Sequence, residues 1–291
     1  MAEVKEPRNV KLIECPRDAM QGWARPIPTG MKIRYLNALL KVGFDCLDFG
    51  SFVSPRAIPQ MADTAEVLRK LDWEGSPSAL LAIVANERGA REAAGWEGVA
   101  FLGYPFSISE TFQLRNTGKN IADSLEVVRR IQQLCVASGK RMVIYISMGF
   151  GNPYGDPYSP DIVLEWVDKL VAEGIGMVSL ADTVGLADPQ DISRLFSTVI
   201  PAYASVEFGA HFHSNPGGWE VKIAAAYDHG CRRFDSAIAG IGGCPMAEDV
   251  LVGNIATENI LAFLKQKGLQ PAWDMDAFRQ ARQLATEVFL P

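Results

Sequence analysis

Eight times along the chain a short apolar, β-branched run gives way to a longer segment of helical period, and this repeat is the strongest constraint on the fold. The predicted strands are residues 10–15, 44–49, 79–85, 98–103, 141–147, 177–180, 206–211 and 231–235. The predicted helices are residues 29–42, 58–71, 88–95, 120–138, 159–173, 189–201, 216–229 and 255–267. Thr29 and Ser159 carry the hydroxyl expected of an N-cap. Gly43, Gly139, Gly174 and Gly230 stand where a helix must stop before the next strand. Units of this kind build parallel sheet, either open and doubly wound or closed. No G-x-G-x-x-G turn follows the first strand, so the α/β fold expected is a closed (βα)8 TIM barrel. No linker or low-complexity tract interrupts the repeat, and residues 1–291 read as one catalytic domain. A last helix near 275–289 is expected to pack outside the barrel or against a partner.

Composition narrows the partners. The chain is 48% hydrophobic and 21% charged, and it has no apolar run long enough to span a bilayer. Residues 1–9 are charged and include a proline, unlike a signal or transit peptide, so a cytoplasmic protein is expected. Five cysteines without paired spacing point to reduced thiols. A net charge of −6 without a basic cluster leaves no footprint for nucleic acid or a membrane surface. The expected partner is a small molecule, and the expected assembly a homodimer or another homo-oligomer.

In a barrel the βα loops converge at the C-terminal strand ends, where functional groups gather. The predicted strands end there in Arg17 and Asp18, Asp48, Asn86, Ser147, Asp182, and His211 with His213, and the last one leads to Cys244 and Asn254. His211-Phe212-His213 is the sharpest local signal, because residues two apart on a strand project to one side. Such a pair is either two packed core histidines or two donors to one cation, and the strand-end position favours the cation. Asp18 can add a carboxylate and Asn254 an amide oxygen, a mixed N/O set that suits a divalent metal such as Mg2+ or Mn2+. Arg17 is either a surface ion pair with Asp18 or, if it points inward, a fixed charge for an enolate oxygen. Cys244 follows Gly240-Ile241-Gly242-Gly243, a glycine-rich loop from which a thiol can reach the mouth and hand over a proton, whereas Cys46, Cys135 and Cys231 read as packing. Cys15, beside Arg17, reads as packing with a chance of substrate contact.

Five segments in order carry a resemblance: Cys15-Pro16-Arg17-Asp18-Ala19-Met20-Gln21; Ser51-Phe52-Val53-Ser54-Pro55 with Pro59-Gln60-Met61; Ser179-Leu180-Ala181-Asp182-Thr183; His211-Phe212-His213; and Gly242-Gly243-Cys244-Pro245 with Gly253-Asn254-Ile255-Ala256-Thr257-Glu258. Over roughly residues 11–263 the chain resembles the 3-hydroxy-3-methylglutaryl-CoA lyase family of metal-dependent barrel lyases, relatives of the isopropylmalate synthases. The resemblance implies that Asp18, His211, His213 and Asn254 bind the metal, that Arg17 stabilises an enolate, and that Cys244 transfers a proton. It further implies an active-site role for Asp182 and substrate contacts for Gln21, Asp48, Ser179 and Asn116, the last in the loop after the fourth strand. Three departures stand out. Asp48 replaces the family's usual glutamate, Ser214 follows His213 where an aspartate is common, and the loop from Gly149 to Asp156 lacks the usual cysteine. The second of these predicts that a carboxylate supporting the histidines is missing.

The reading that follows is a carbon–carbon lyase that splits 3-hydroxy-3-methylglutaryl-CoA, or a close 3-hydroxyacyl-CoA, into acetyl-CoA and acetoacetate or a related ketone. Asp182 or His211 would be its base. One alternative is a condensing enzyme joining acetyl-CoA to a 2-keto acid; another is a barrel that binds metal without catalysis.

Overall fold

The structure is a computed structural model that describes residues 10–243 and 252–289. Its strands are β1 (Lys11–Glu14), β2 (Cys46–Ser51), β3 (Ala79–Ile83), β4 (Val99–Ser107), β5 (Arg141–Ser147), β6 (Met177–Asp182), β7 (Glu207–Ser214), β8 (Arg233–Ser236) and a two-residue β9 (Gly253–Asn254). The helices are α1 (Pro16–Gln21), α2 (Thr29–Leu40), α3 (Thr64–Leu68), α4 (Glu87–Ala94), α5 (Glu110–Thr117), α6 (Ile121–Ser138), α7 (Pro160–Ala172), α8 (Pro189–Ala202), α9 (Trp219–Asp228), α10 (Thr257–Gln266) and α11 (Met275–Phe289). From β1 to β8 each strand pairs in parallel with its sequence neighbours, and β1 pairs with β8, so the sheet closes into the expected (βα)8 barrel. β9 is the exception. It runs antiparallel to the end of β7 and sets Asn254 opposite His213.

Strand parity divides the barrel wall. Ile13, Cys46, Leu81, Val143, Tyr145 and Met177 fill the interior, while Leu12, Leu47, Leu80, Ile144, Val178 and Phe212 belong to the larger layer beneath the helices. Because successive side chains alternate, Ala181 on β6 shares the interior face with Met177, and Asp182 falls on the outer one. The same count brings His211 and His213 inward on β7 and Asp235 inward on β8.

Ser159 caps α7 by accepting the Ile162 N–H, and Gly43, Gly139, Gly174 and Gly230 all have positive φ at helix ends. Thr29 is not a cap. It is the first residue of α2 after Pro28, and its hydroxyl donates to Asp63 at 2.7 Å. The helix predicted over 58–71 is a 3-10 turn followed by α3, because Thr64 donates its hydroxyl to Met61 O while accepting the Ser51 N–H. α9 starts three residues late because Gly217 and Gly218 have little preference for helix. α1 and α5 are short helices in predicted loops; proline at the first position and Asp18 in the first turn favour α1. α11 lies outside the barrel on α2, where Phe289 meets the rings of Trp23 and Tyr35 edge-on. No helix among the described residues is long and apolar enough to cross a membrane.

Candidate active site and metal centre

A cavity of about 260 Å3 opens at the C-terminal mouth, and Arg17, Asp18, Gln21, Asn116, His211 and His213 all line it. α1 starts one residue after Cys15 and brings Arg17 and Asp18 to the cavity. Asp18 is the hub. One of its oxygens accepts from Arg17 Nη1 at 3.1 Å and Gln21 Nε2 at 2.8 Å, and the other accepts from Asn254 Nδ2 at 2.7 Å.

Ligand atoms of Asp18, His211 and His213 lie within 4.8 Å of one another. The two rings are fixed from behind. His211 Nδ1 is 3.1 Å from Asp235 Oδ2, and His213 Nδ1 is 2.9 Å from Thr183 O, which requires a proton on that nitrogen. In the neutral ring His213 Nε2 then carries the lone pair; it is buried, has no hydrogen-bond partner among the described residues, and stands 4.0 Å from Asp18 Oδ2. An unpartnered imidazole nitrogen facing a carboxylate is what a divalent ion would satisfy, and the N/O donor set fits such an ion. Asn254 sits against the same carboxylate, and turning its amide by half a rotation brings Oδ1 to the position of Nδ2.

Electrostatics agree with this geometry. Burial opposes the charge of Asp18, but Arg17, the two histidines and Asn254 outweigh it and hold the carboxyl below its ordinary range. Burial and the neighbouring His211 both lower His213, which favours the neutral ring a metal requires. Burial also works against a charge on His211, yet the bond to Asp235 prevails and raises it.

Several expected residues take other places. Asp48 does not line the cavity. It lies behind Arg17 and accepts from Nε at 3.0 Å and Nη2 at 2.5 Å, so the shorter side chain serves the arginine; burial pushes it up to about 6 against the arginine's pull. Asp182 faces the helix layer, with one oxygen 2.6 Å from Lys222 Nζ and the other accepting the Ala187 N–H. Ser179 is fully buried one layer below Ala181, outside the cavity lining. Asn116 reaches the cavity from α5 and not from a loop. Cys244 lies outside the described residues. The loop leading to it passes directly over the centre: a Cβ on Gly242 would come within 2.5 Å of Asn254 Nδ2 and 3.0 Å of Asp18 O.

Asp235 supplies the supporting carboxylate that the sequence predicts to be missing. Its signal was parity, an acid on the interior face of the strand beside β7. Thr183 closes the Ser179–Thr183 segment but acts through its backbone carbonyl, which no residue type reports, and Lys222 acts from a helix that no motif marks. Tyr145, whose ring meets His211 edge-on at 5.6 Å, also lines the cavity.

The HMGL-like family model matches residues 9–285. A 3-hydroxy-3-isohexenylglutaryl-CoA/hydroxy-methylglutaryl-CoA lyase of Pseudomonas aeruginosa is 34% identical, over 95% of this chain and 92% of that protein. The solved structure of an HMG-CoA lyase from Brucella melitensis matches with a TM-score of 0.90 at 28% identity, covering 98% of this chain and all of the other. An HMG-CoA lyase from Acinetobacter baumannii, solved with coenzyme A and 3-methylmalate, matches with a TM-score of 0.89 at 30% identity, covering 97% of this chain and 91% of that one.

Proposed function

Since the chain belongs to the HMGL-like family, we propose that it is a carbon–carbon lyase that cleaves 3-hydroxy-3-methylglutaryl-CoA, or a close 3-hydroxyacyl-CoA, to acetyl-CoA and acetoacetate or a related ketone. The observation that carries this reading is the meeting of Arg17, Asp18, His211 and His213 in one cavity, with His213 Nε2 unpartnered among the described residues. Asp18, His211 and His213, with Asn254 beside them, would hold a divalent ion, Mg2+ or Mn2+ by donor type. Bound there, such an ion would supply Lewis acidity to the substrate's 3-hydroxyl and lower its pKa.

The residues divide the remaining work. The hydroxyl proton leaves to water in the open cavity, because His211, held at Nδ1 by Asp235 and facing the ion with its other nitrogen, has none free to take it, and Asp182 is spent on Lys222 and the Ala187 N–H. The oxygen electrons form the ketone as the C2–C3 bond breaks. The electron pair of that bond passes to the thioester oxygen as an enolate. Three of Arg17's N–H groups are engaged by Asp48 and Asp18, which fixes the guanidinium and leaves N–H groups for that oxygen. Protonation of the enolate carbon, giving acetyl-CoA, is assigned to Cys244 on the family resemblance. Gln21 and Asn116, both of which line the cavity, are the substrate contacts in this reading.

The test is a steady-state assay of purified protein with Mg2+ or Mn2+ and a panel of 3-hydroxyacyl-CoA thioesters. Metal-dependent release of acetyl-CoA from at least one member is expected. If every thioester is inert while a 2-keto acid consumes acetyl-CoA, the condensing reaction replaces this one.

A further inference from the structure

Lys222 is a charged side chain in the core, 8% exposed, on the helix behind β7. An ammonium has three donors, and all three are used. They reach Asp182 Oδ2 at 2.6 Å, Gly185 O at 3.0 Å and His213 O at 3.0 Å. Each acceptor belongs to a different segment: the end of β6, the turn after it, and the end of β7. Asp182 closes the same turn with its other oxygen, which accepts the Ala187 N–H at 3.0 Å.

Between Asp182 and Gly185 lies Thr183, whose carbonyl holds His213 Nδ1 and whose hydroxyl accepts the Met148 N–H at 2.8 Å. The ring of His213 is thus gripped through Thr183, and its backbone directly by Lys222. We infer that Lys222 is a positioning residue for the metal centre, whose ammonium, paired with Asp182, locks the Thr183 turn to β7 and so aims the free Nε2 of His213 at Asp18. Unlike a plain ion pair, this ammonium spans three segments that meet at His213. A second buried lysine offers a built-in comparison. Lys32 pairs with Asp63 at 2.7 Å and also donates to Gln60 O, away from the cavity.

The inference rests on Asp18, His211 and His213 being the metal site, and the experiment separates the two claims. Mn2+ affinity is measured by calorimetry on the metal-free protein for wild type and for His213→Ala, Lys222→Met and Lys32→Met. The double variant Asp182→Asn/Lys222→Met, which buries no unpaired charge, serves if Lys222→Met does not fold. Nitrogen-15 spectra of the histidine rings, with His213 assigned by its loss in His213→Ala, report the tautomer. Removing Lys222 should weaken Mn2+ binding about 10–100-fold, the range for partners that orient a ligand, and should disturb the Nδ1–H form of His213. Lys32→Met should lower thermal stability without changing Mn2+ affinity. If His213→Ala binds Mn2+ like wild type, the metal-site reading falls. If His213→Ala loses affinity while the Lys222 variants keep both wild-type affinity and the wild-type tautomer, the inference is overturned and Lys222 is a core ion pair like Lys32.

Discussion

At the scale of single residues, what each polar group does depends on which face of its strand it occupies. Asp182 and Asp235 both stand near strand ends, but Asp182 faces outward to Lys222 while Asp235 faces inward to His211. Arg17 is settled in the same way. It points inward, is 7% exposed and is held by two carboxylates, so it is not a surface ion pair. That geometry predicts the outcome of Arg17→Lys. A lysine can replace the charge but not the planar fork that spans Asp48 and Asp18 while still facing the cavity. Turnover should fall about 100–1000-fold, the loss seen when one donor to a developing oxyanion is removed. Mn2+ affinity should change little. Steady-state kinetics with calorimetry on the same sample decide it, and a kcat near that of wild type would leave Arg17 with a structural task only.

At the scale of elements, the sequence pattern located all eight parallel strands, and glycines marked the helix ends, because both are local consequences of side-chain period and backbone freedom. β9 was not legible: a two-residue strand has no period, and it exists only because the chain returns from the loop to pair with His213. The candidate site was legible to the same degree. Arg17, Asp18, His211 and His213 were readable from motif and strand end, whereas Asp235, Thr183 and Lys222 require contacts between elements. Glu14 belongs to that second kind. It lies on the outer face of β1, accepts the Ile238 N–H at 2.8 Å, and has Thr257 Oγ1 at 2.6 Å, tying β1 to the start of the glycine loop and to α10. Thr257 has one proton and a second oxygen neighbour, Ser236 Oγ at 2.9 Å, so a protonated Glu14 that donates to Thr257 leaves that proton for Ser236. Burial pushes Glu14 up to about 8, in spite of those bonds. A carboxyl raised in the folded state contributes stability that is full below its unfolded value of 4.5 and is lost as pH rises through about 8. Glu14→Gln keeps a donor and an acceptor without titrating. The melting temperature of wild type should therefore fall relative to this variant across that interval, by a few degrees, and parallel curves would mean that Glu14 is charged at neutral pH.

At the scale of the whole molecule, the candidate metal centre gathers groups from distant parts of the sequence. Asp18 follows the first strand, His211 and His213 lie on the seventh, and Asn254, 236 residues after Asp18, donates to its carboxylate. These groups converge only when the barrel is closed, so an unfolded chain offers no comparable site, and an ion that binds there binds the folded state alone. Linkage then fixes the size of the effect. At free metal 100-fold above its dissociation constant, binding adds about 2.7 kcal/mol, which for a chain of this length raises the melting temperature by about 4 °C. Thermal unfolding of chelator-treated protein with and without saturating Mn2+ measures it. The rise should be present in wild type and in Lys32→Met, and absent or much reduced in His213→Ala, which removes a donor without opening the barrel. The Lys222 variants should fall between, since their ligand is present but no longer aimed. A wild-type melting temperature indifferent to Mn2+ would mean that the four groups meet for packing alone, and the lyase reading would then have to stand without a metal at the mouth.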